Sequence, residues 1–161
     1  MEKIMLLLFS FASLDKVIED SFKLLTKENQ LQVIAVLEEE LPASLPKLIS
    51  QIGFLGEKVT EDVKEIILKE YKKRGVETLK SISAKGMEEG YQVKVEQIAK
   101  TALPNLKQDL QQGEFSQLII NYTRDQFISK DVLAYEIDDF LEGLDISYRI
   151  YYDGKLATEK Q

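Results

Sequence analysis

Short apolar segments of strand length alternate along this chain with longer segments whose apolar residues follow helical spacing. The pattern predicts four helices between five strands, and the strands cover Lys3–Phe9, Leu31–Leu37, Tyr91–Ile98, Phe115–Asn121 and Ile146–Tyr152. Strands that alternate with helices form parallel sheets, because each connection crosses over the sheet through a helix. We therefore expect a three-layer α/β fold, with helices on both faces of a five-stranded parallel sheet.

The length of 161 residues fits a single domain of ordinary size. The last predicted strand ends at Tyr152, and the residues after it are mostly polar. We expect residues 1–152 to form the domain and residues 153–161 to form a flexible C-terminal tail.

The character of the strands predicts their order in the sheet. The third and fifth strands alternate between apolar and polar residues, which is typical of half-exposed edge strands. The first, second and fourth are almost continuously apolar, which is typical of interior strands. The order 3-2-1-4-5 satisfies both conditions, whereas 2-1-3-4-5 would place the apolar second strand at an edge. The preferred order puts the topological switch between strands one and four, where a ligand crevice would open at their carboxyl ends.

Hydroxyl side chains stand at the expected start of each helix. Ser13, Thr60, Thr101 and Ser129 are each placed to accept a hydrogen bond from a backbone N–H of the first helical turn. Gly75 interrupts the long second helical segment, which is therefore either one helix bent at this glycine or two helices.

Composition excludes several kinds of chemistry. The chain contains no His, no Cys and no Trp, so it has no imidazole base, no thiolate nucleophile and no zinc or iron–sulfur ligand set. The formal net charge of −7 argues against nucleic-acid binding, which requires clustered cations. Glu38, Glu39 and Glu40 are interpreted as a solvated charge run rather than a metal site. We expect no metal, no cofactor and no catalytic residues.

The N-terminus allows two interpretations. The apolar run Ile4–Ala12 resembles a short secretory signal, with Ser10 and Ala12 as small residues near its end. However, Glu2 offsets the charge of Lys3, and the run is too short to span a bilayer. We favour a buried first strand in a cytoplasmic protein that does not enter a membrane.

Three segments resemble the universal stress protein family. They are the opening strand Lys3–Ser10, the helix–glycine–strand passage Glu88–Glu96, and Gln117–Asn121, which stands where the family has an Asp-Leu-Ile-Val strand. The resemblance covers the chain from Lys3 to about Tyr152. It implies the same five-stranded sheet order and a regulatory, stress-linked role. In the ATP-binding branch of the family, an acidic residue follows strand one and a glycine-rich phosphate loop follows strand four.

This chain departs from that branch at both places. Phe9 and then Ser10 occupy the place of the acidic residue, and Asn121–Lys130 contains no glycine. A phosphate cradle needs backbone N–H groups close to the phosphate, and side chains obstruct that approach. The resemblance therefore implies a degenerate member that does not bind ATP and is not an enzyme. The alternative is a nucleotide-binding module with an atypical loop that uses Ser10, Thr123 and Arg124.

Polar side chains follow strands one and four at the expected crevice. One interpretation is a site for a small polar or anionic ligand, with Arg124 supplying charge. The other is ordinary loop chemistry, in which these groups cap helices or contact water. The candidates are Ser10, Ser13, Asn121, Tyr122, Thr123 and Arg124. The segment 41–56 leaves strand two beside the crevice and is either a lid, a partner surface or a cover that fills the nucleotide position.

The fifth strand is the candidate interaction surface. An unprotected edge strand rich in aromatic and β-branched residues readily pairs with another chain. In the family this strand commonly mediates dimers, so the resemblance implies a symmetric homodimer. The alternative is an edge covered by the C-terminal tail. The interface candidates are Ile146, Tyr148, Ile150, Tyr151 and Tyr152.

Overall fold

The computed structural model describes residues 1–40, 57–125 and 128–161. The segment 41–56, expected to be a lid, a partner surface or a cover, lies outside the described residues. The strands are β1 (Glu2–Leu8), β2 (Asn29–Leu37), β3 (Val93–Ala99), β4 (Phe115–Tyr122), β5 (Ser147–Tyr152) and β6 (Lys155–Lys160). The helices are α1 (Asp15–Lys23), α2 (Glu57–Glu88), α3 (Leu103–Gln111) and α4 (Lys130–Leu141).

The strands form one sheet in the order β3-β2-β1-β4-β5-β6. The first five are parallel in the predicted order 3-2-1-4-5, and β6 pairs antiparallel to β5. The expectation of five strands is therefore wrong by one strand. Strand β1 lies at the centre and is buried from Ile4 to Leu8, as its continuous apolar run predicted.

The sixth strand corrects the expected role of the C-terminal residues. Asp153 and Gly154 both have positive φ angles, +49° and +77°, and they form the two-residue turn between β5 and β6. Such a turn suits an Asp-Gly pair and matches the twist of a hairpin. Residues 155–160 are consequently an edge strand, not a flexible tail.

Because β6 covers β5, the fifth strand is not the edge that the sequence suggested. Ile146, Ile150 and Tyr151 are buried, whereas Tyr148 and Tyr152 are half-buried. The alternative expectation, an edge covered by the C-terminal residues, is the arrangement observed.

Two apolar layers enclose the sheet. Helices α3 and α4 pack on one face through Leu106, Leu133 and Ile137. On the other face, α1 and α2 pack through Val17 and Ile82. The three-layer α/β architecture is thereby confirmed, with helices on both sides of the sheet. Within the described ranges, no helix is long and apolar enough to cross a membrane.

Of the four predicted helix caps, only Ser129 is confirmed: its hydroxyl accepts from the backbone N–H of Val132 at 3.2 Å. Ser13 has a φ of +55° and precedes the helix start at Asp15, so it does not cap α1. Thr60 falls inside α2, and Thr101 lies in a short 3-10 turn before α3.

Helix α2 continues through Gly75 without ending. A Cβ at this position would lie 3.1 Å from Leu37 Cδ2 and 3.3 Å from the ring of Phe11. The glycine therefore permits a close approach between α2, the end of β2 and the loop after β1. This packing holds the preceding turn of α2 above the carboxyl ends of the central strands.

Candidate functional site

The loops after β1 and β4 leave the sheet side by side, at the topological switch that the strand order predicted. Leu8 is opposite Asn121 in the parallel register, and the backbone N–H of Phe9 donates to the Asn121 carbonyl at 2.9 Å. The backbones of the two strands therefore stay paired for one residue beyond the end of β1. The predicted crevice lies above this point.

Side-chain hydrogen bonds join the two loops. The Ser10 hydroxyl accepts from the backbone N–H of Thr123 at 3.1 Å. The side-chain amide of Asn121 donates to the Ser10 carbonyl at 3.3 Å. Asn121 and Thr123 are both buried. Three of the predicted residues thus come together, and they stabilise the contact between the loops.

The turn between β5 and β6 forms a third side of this region. Asp153 Oδ1 accepts from the backbone N–H of Arg124 at 2.8 Å, and the Asp153 N–H donates to the Tyr122 carbonyl at 3.2 Å. A Cβ at Gly154 would lie 3.0 Å from the Ser13 carbonyl oxygen. Sequence reasoning missed both turn residues, although an Asp-Gly pair between two strand patterns is a hairpin signal.

A cavity of about 290 Å³ opens beside these loops. Its apolar floor is formed by residues from both loops, from β2 and from α4: Phe9, Phe11, Val36, Ile128 and Leu133. Its polar rim comprises Ser10, Glu38, Tyr71, Arg74, Thr123, Arg124 and Asp125. Of the six predicted crevice residues, Ser10, Thr123 and Arg124 line the cavity.

The other three predicted residues lie outside the cavity lining. Ser13 contacts the hairpin turn, and Asn121 is buried at the end of β4. The Tyr122 ring packs at 4.8 Å from the ring of Tyr152, and burial raises the pKa of the Tyr122 phenol. These residues contact neighbouring loops and strands and do not line the cavity.

Two residues of α2 enter the site without a signal in the sequence. The Tyr71 hydroxyl donates to the carboxylate of Asp125, with 2.8 Å to each oxygen, and Arg74 lies one turn further along the helix. Burial, followed by the hydrogen bond to Asp125, raises the pKa of Tyr71. Asp125 Oδ1 also accepts from the backbone N–H of Ile128 at 3.0 Å.

A half-buried ion cluster borders the cavity on the side of β2. Lys100 forms ion pairs with Glu38 and, at 2.7 Å, with Glu136. Burial raises the pKa of Glu38, while the nearby Lys100 opposes that rise. Glu38 is therefore not part of a solvated charge run, although Glu39 and Glu40 are exposed. In the described part of the chain, no group of three acidic side chains is arranged to hold a metal ion.

A phosphate cradle in the loop after β4 would need free backbone N–H groups. Four described N–H groups in and after this loop already bond to side-chain oxygens of the chain itself. Those of Thr123, Arg124, Ile128 and Val132 donate to Ser10, Asp153, Asp125 and Ser129 respectively. Two of these acceptors are carboxylates, which repel a phosphate group. These four N–H groups are therefore engaged within the chain and not free to bind a phosphate.

Comparison with solved structures shows which fold this is. A universal stress protein family protein from Arabidopsis thaliana, crystallised with AMP bound, superposes with a TM-score of 0.55 at 10% identity. The match covers 94% of this chain and 92% of that one. The hypothetical protein PH0823 matches with a TM-score of 0.45 at 12% identity, covering 94% and 96% of the two chains. No protein-family model and no curated protein matches the sequence. The chain thus has the universal stress protein fold.

Proposed function

We propose that this chain is a cytoplasmic, universal-stress-protein-like regulatory protein that is not an enzyme and acts through protein contacts without a nucleotide. The fold and the resemblance of the sequence support the stress-linked, regulatory class. The single observation that carries nucleotide independence is the loop after β4, whose N–H groups are bonded to internal oxygens. A phosphate could bind there only after these hydrogen bonds break, and each broken bond leaves an acceptor to be solvated again.

The alternative, a nucleotide site with a glycine-free loop, has less support. It would rely on Ser10, Thr123 and Arg124, but the backbone N–H groups of Thr123 and Arg124 are already engaged. The carboxylate of Asp153 lies where the Arg124 N–H would contact an anion. Phe9 occupies the place of the acidic residue and is buried, with 7% of its surface exposed. These features favour a structural use of the loops.

The state of the titratable groups supports the absence of catalysis. General acid–base chemistry uses a group whose pKa lies near the working pH. The pKa of Tyr71 is raised, away from neutrality, by burial and by its hydrogen bond to Asp125. Burial raises the pKa of Glu38, but its carboxylate is held in an ion pair with Lys100. Among the described residues of the cavity rim, these groups are committed to internal contacts rather than to a reacting substrate.

We also propose that the chain forms a homodimer. The pairing edge is β6 rather than β5, because β6 is the edge strand of the sheet. The outer edge of β6 is exposed along its whole length. Antiparallel pairing of two copies about Ala157 would place Lys155 of one protomer opposite the partner's Glu159, twice across the two-fold axis. Opposite charges in facing positions favour such a register. Lys155 and Glu159 would therefore select the antiparallel register.

The nucleotide-independent role is tested by calorimetry with AMP, ADP and ATP, with and without Mg²⁺. We expect no heat of binding at millimolar nucleotide and no thermal stabilisation. Saturable binding that Arg124→Ala abolishes, and that Lys107→Ala leaves intact, would establish the nucleotide module instead. Lys107 is the matched control because it is a half-buried cation on α3 that donates to the Asp139 carbonyl and lies outside the cavity.

The dimer is tested separately by light scattering. Lys155→Glu is expected to weaken association by placing two acidic residues opposite each other, and adding Glu159→Lys is expected to restore it. A mass that is unaffected by either change would exclude pairing through β6.

A further inference from the structure

The cavity above the switch point has polar side chains that are available to a ligand. The described backbone N–H groups of the loop after β4, in contrast, are already bonded within the chain. Its volume of about 290 Å³ is at the lower end of the range for ligand pockets. Phe9, Ile128 and Leu133 are buried and form a largely apolar floor. Such a space suits the body of one branched or aromatic acid.

The anionic groups at the rim are already satisfied. Asp125 accepts from the Tyr71 hydroxyl and from the Ile128 N–H. Glu38 is paired with Lys100. A cationic ligand would have to compete with these contacts, so the carboxylates do not define a site for a cation.

The two arginines at the rim have N–H donors that bond to no described residue. Arg74 contacts Glu70 only through Nε, at 3.3 Å, so its terminal nitrogens bond to no described residue. The Arg124 side chain is exposed, and its guanidinium makes no hydrogen bond or ion pair within the described part of the chain. Both arginines line the same cavity. A guanidinium presents parallel N–H donors that match the two oxygens of a carboxylate.

We propose that this cavity binds a small organic monocarboxylate, whose apolar body packs on Phe9 and Ile128 and whose carboxylate is held by Arg124, with Arg74 beside it. A single negative charge is compatible with the neighbouring Asp125 and Glu38, which would repel a phosphate dianion more strongly. The cavity residues do not belong to β6, which is the proposed dimer edge. A failure of ligand binding would therefore leave the proposed dimer and the regulatory role untouched.

Amide NMR spectra of the full chain provide the test, with phenylacetate and 3-methylbutanoate as probes. Phenylacetamide is the uncharged control, while inorganic phosphate and AMP test the other source of an anion. We expect saturable shifts of the Tyr71, Arg74 and Thr123 amides with both carboxylates and none with the amide, phosphate or AMP. Arg124→Ala is expected to weaken carboxylate binding about tenfold or more, as for a lost charge-assisted pair.

Two matched variants sharpen the outcome. Arg124→Lys keeps the charge but not the paired donors and should recover only part of the affinity, while Lys107→Ala should leave it unchanged. The absence of saturable shifts with both acids would overturn the proposal. Equal binding of phenylacetamide, tighter binding of phosphate or AMP, or undiminished binding by Arg124→Ala would overturn it as well. Because Arg124 is exposed, its variants are not expected to disturb folding.

Discussion

The hydroxyl of Tyr71 lies 2.8 Å from each carboxylate oxygen of Asp125, and this contact joins the middle of α2 to the loop after β4. The two residues are 54 positions apart in the chain. Asp125 in turn holds the N–H of Ile128 near the start of α4. One tyrosine thereby connects helices on opposite faces of the sheet across the carboxyl ends of the strands.

We expect Tyr71→Phe to lower the free energy of unfolding by about 1 to 2 kcal/mol, because a hydrogen bond to a charged acceptor is lost while the ring remains. Urea denaturation followed by circular dichroism measures the change. Tyr135→Phe is the matched control, since Tyr135 is 72% exposed, and it should alter stability by no more than a few tenths of a kcal/mol. Equal stabilities of the two variants would show that the contact contributes nothing.

The glycine of the hairpin turn gives a second prediction. Gly154→Ala combines a positive φ of +77° with a Cβ placed 3.0 Å from the Ser13 carbonyl oxygen. Gly113 has a similar φ of +80° but nothing within 4 Å of its Cβ position. Gly113→Ala should therefore cost about 1 kcal/mol for backbone strain alone, and Gly154→Ala clearly more.

The difference between the two glycine variants measures the contact between the turn and the loop after β1. Thermal unfolding by calorimetry gives both values under one condition. Similar losses for Gly154→Ala and Gly113→Ala would mean that the turn does not press against Ser13 in solution.

The sequence predicted the parallel part of the fold because burial leaves a local pattern. The continuous apolar run Ile4–Leu8 marks a central strand, and alternation marks β3 and β5 as less buried. Strand β6 leaves no such pattern, since all six of its residues are exposed and mixed in polarity. Only the Asp-Gly pair indicated it, through turn chemistry rather than periodicity.

The site was predicted only in part, because its contacts are between elements rather than within them. Position at the ends of β1 and β4 was enough to predict that Ser10, Thr123 and Arg124 lie at the cavity. Nothing local to Tyr71 indicates that it reaches Asp125. Gly75 suggested a helix break in the sequence, whereas its small size serves the packing of α2 that makes this reach possible.

Tyr151 provides a prediction about alkaline pH. The side chain is 1% exposed and donates to Asp20 Oδ2 at 2.7 Å. Burial, followed by the hydrogen bond to Asp20, raises the pKa of Tyr151 from 10.0 to about 12. The folded state thus retains a proton that the unfolded state loses first. This contribution to stability is complete below pH 10 and is lost as the pH rises towards about 12.

We expect Tyr151→Phe to reduce the alkaline fall in stability by about 2 kcal/mol, as measured by urea midpoints across that pH range. Part of the fall should persist, because the pKa values of Tyr71 and Tyr122 are also raised. Tyr135→Phe, at the exposed position, should leave the pH profile unchanged. A profile of Tyr151→Phe parallel to that of the unaltered protein would contradict the prediction.

Hydrogen exchange tests the internal satisfaction of the loop after β4. The N–H of Thr123 belongs to a buried residue and donates to Ser10 Oγ, so it should exchange slowly despite its position in a loop. Ser10→Ala removes the acceptor and is expected to speed exchange at Thr123 about tenfold or more. Ser129→Ala is the control, because it removes the acceptor of the Val132 N–H instead. It should speed exchange at Val132 and leave Thr123 protected. Rapid exchange at Thr123 in the unaltered protein would mean that its N–H is free to contact a ligand, and the nucleotide alternative would regain its main support.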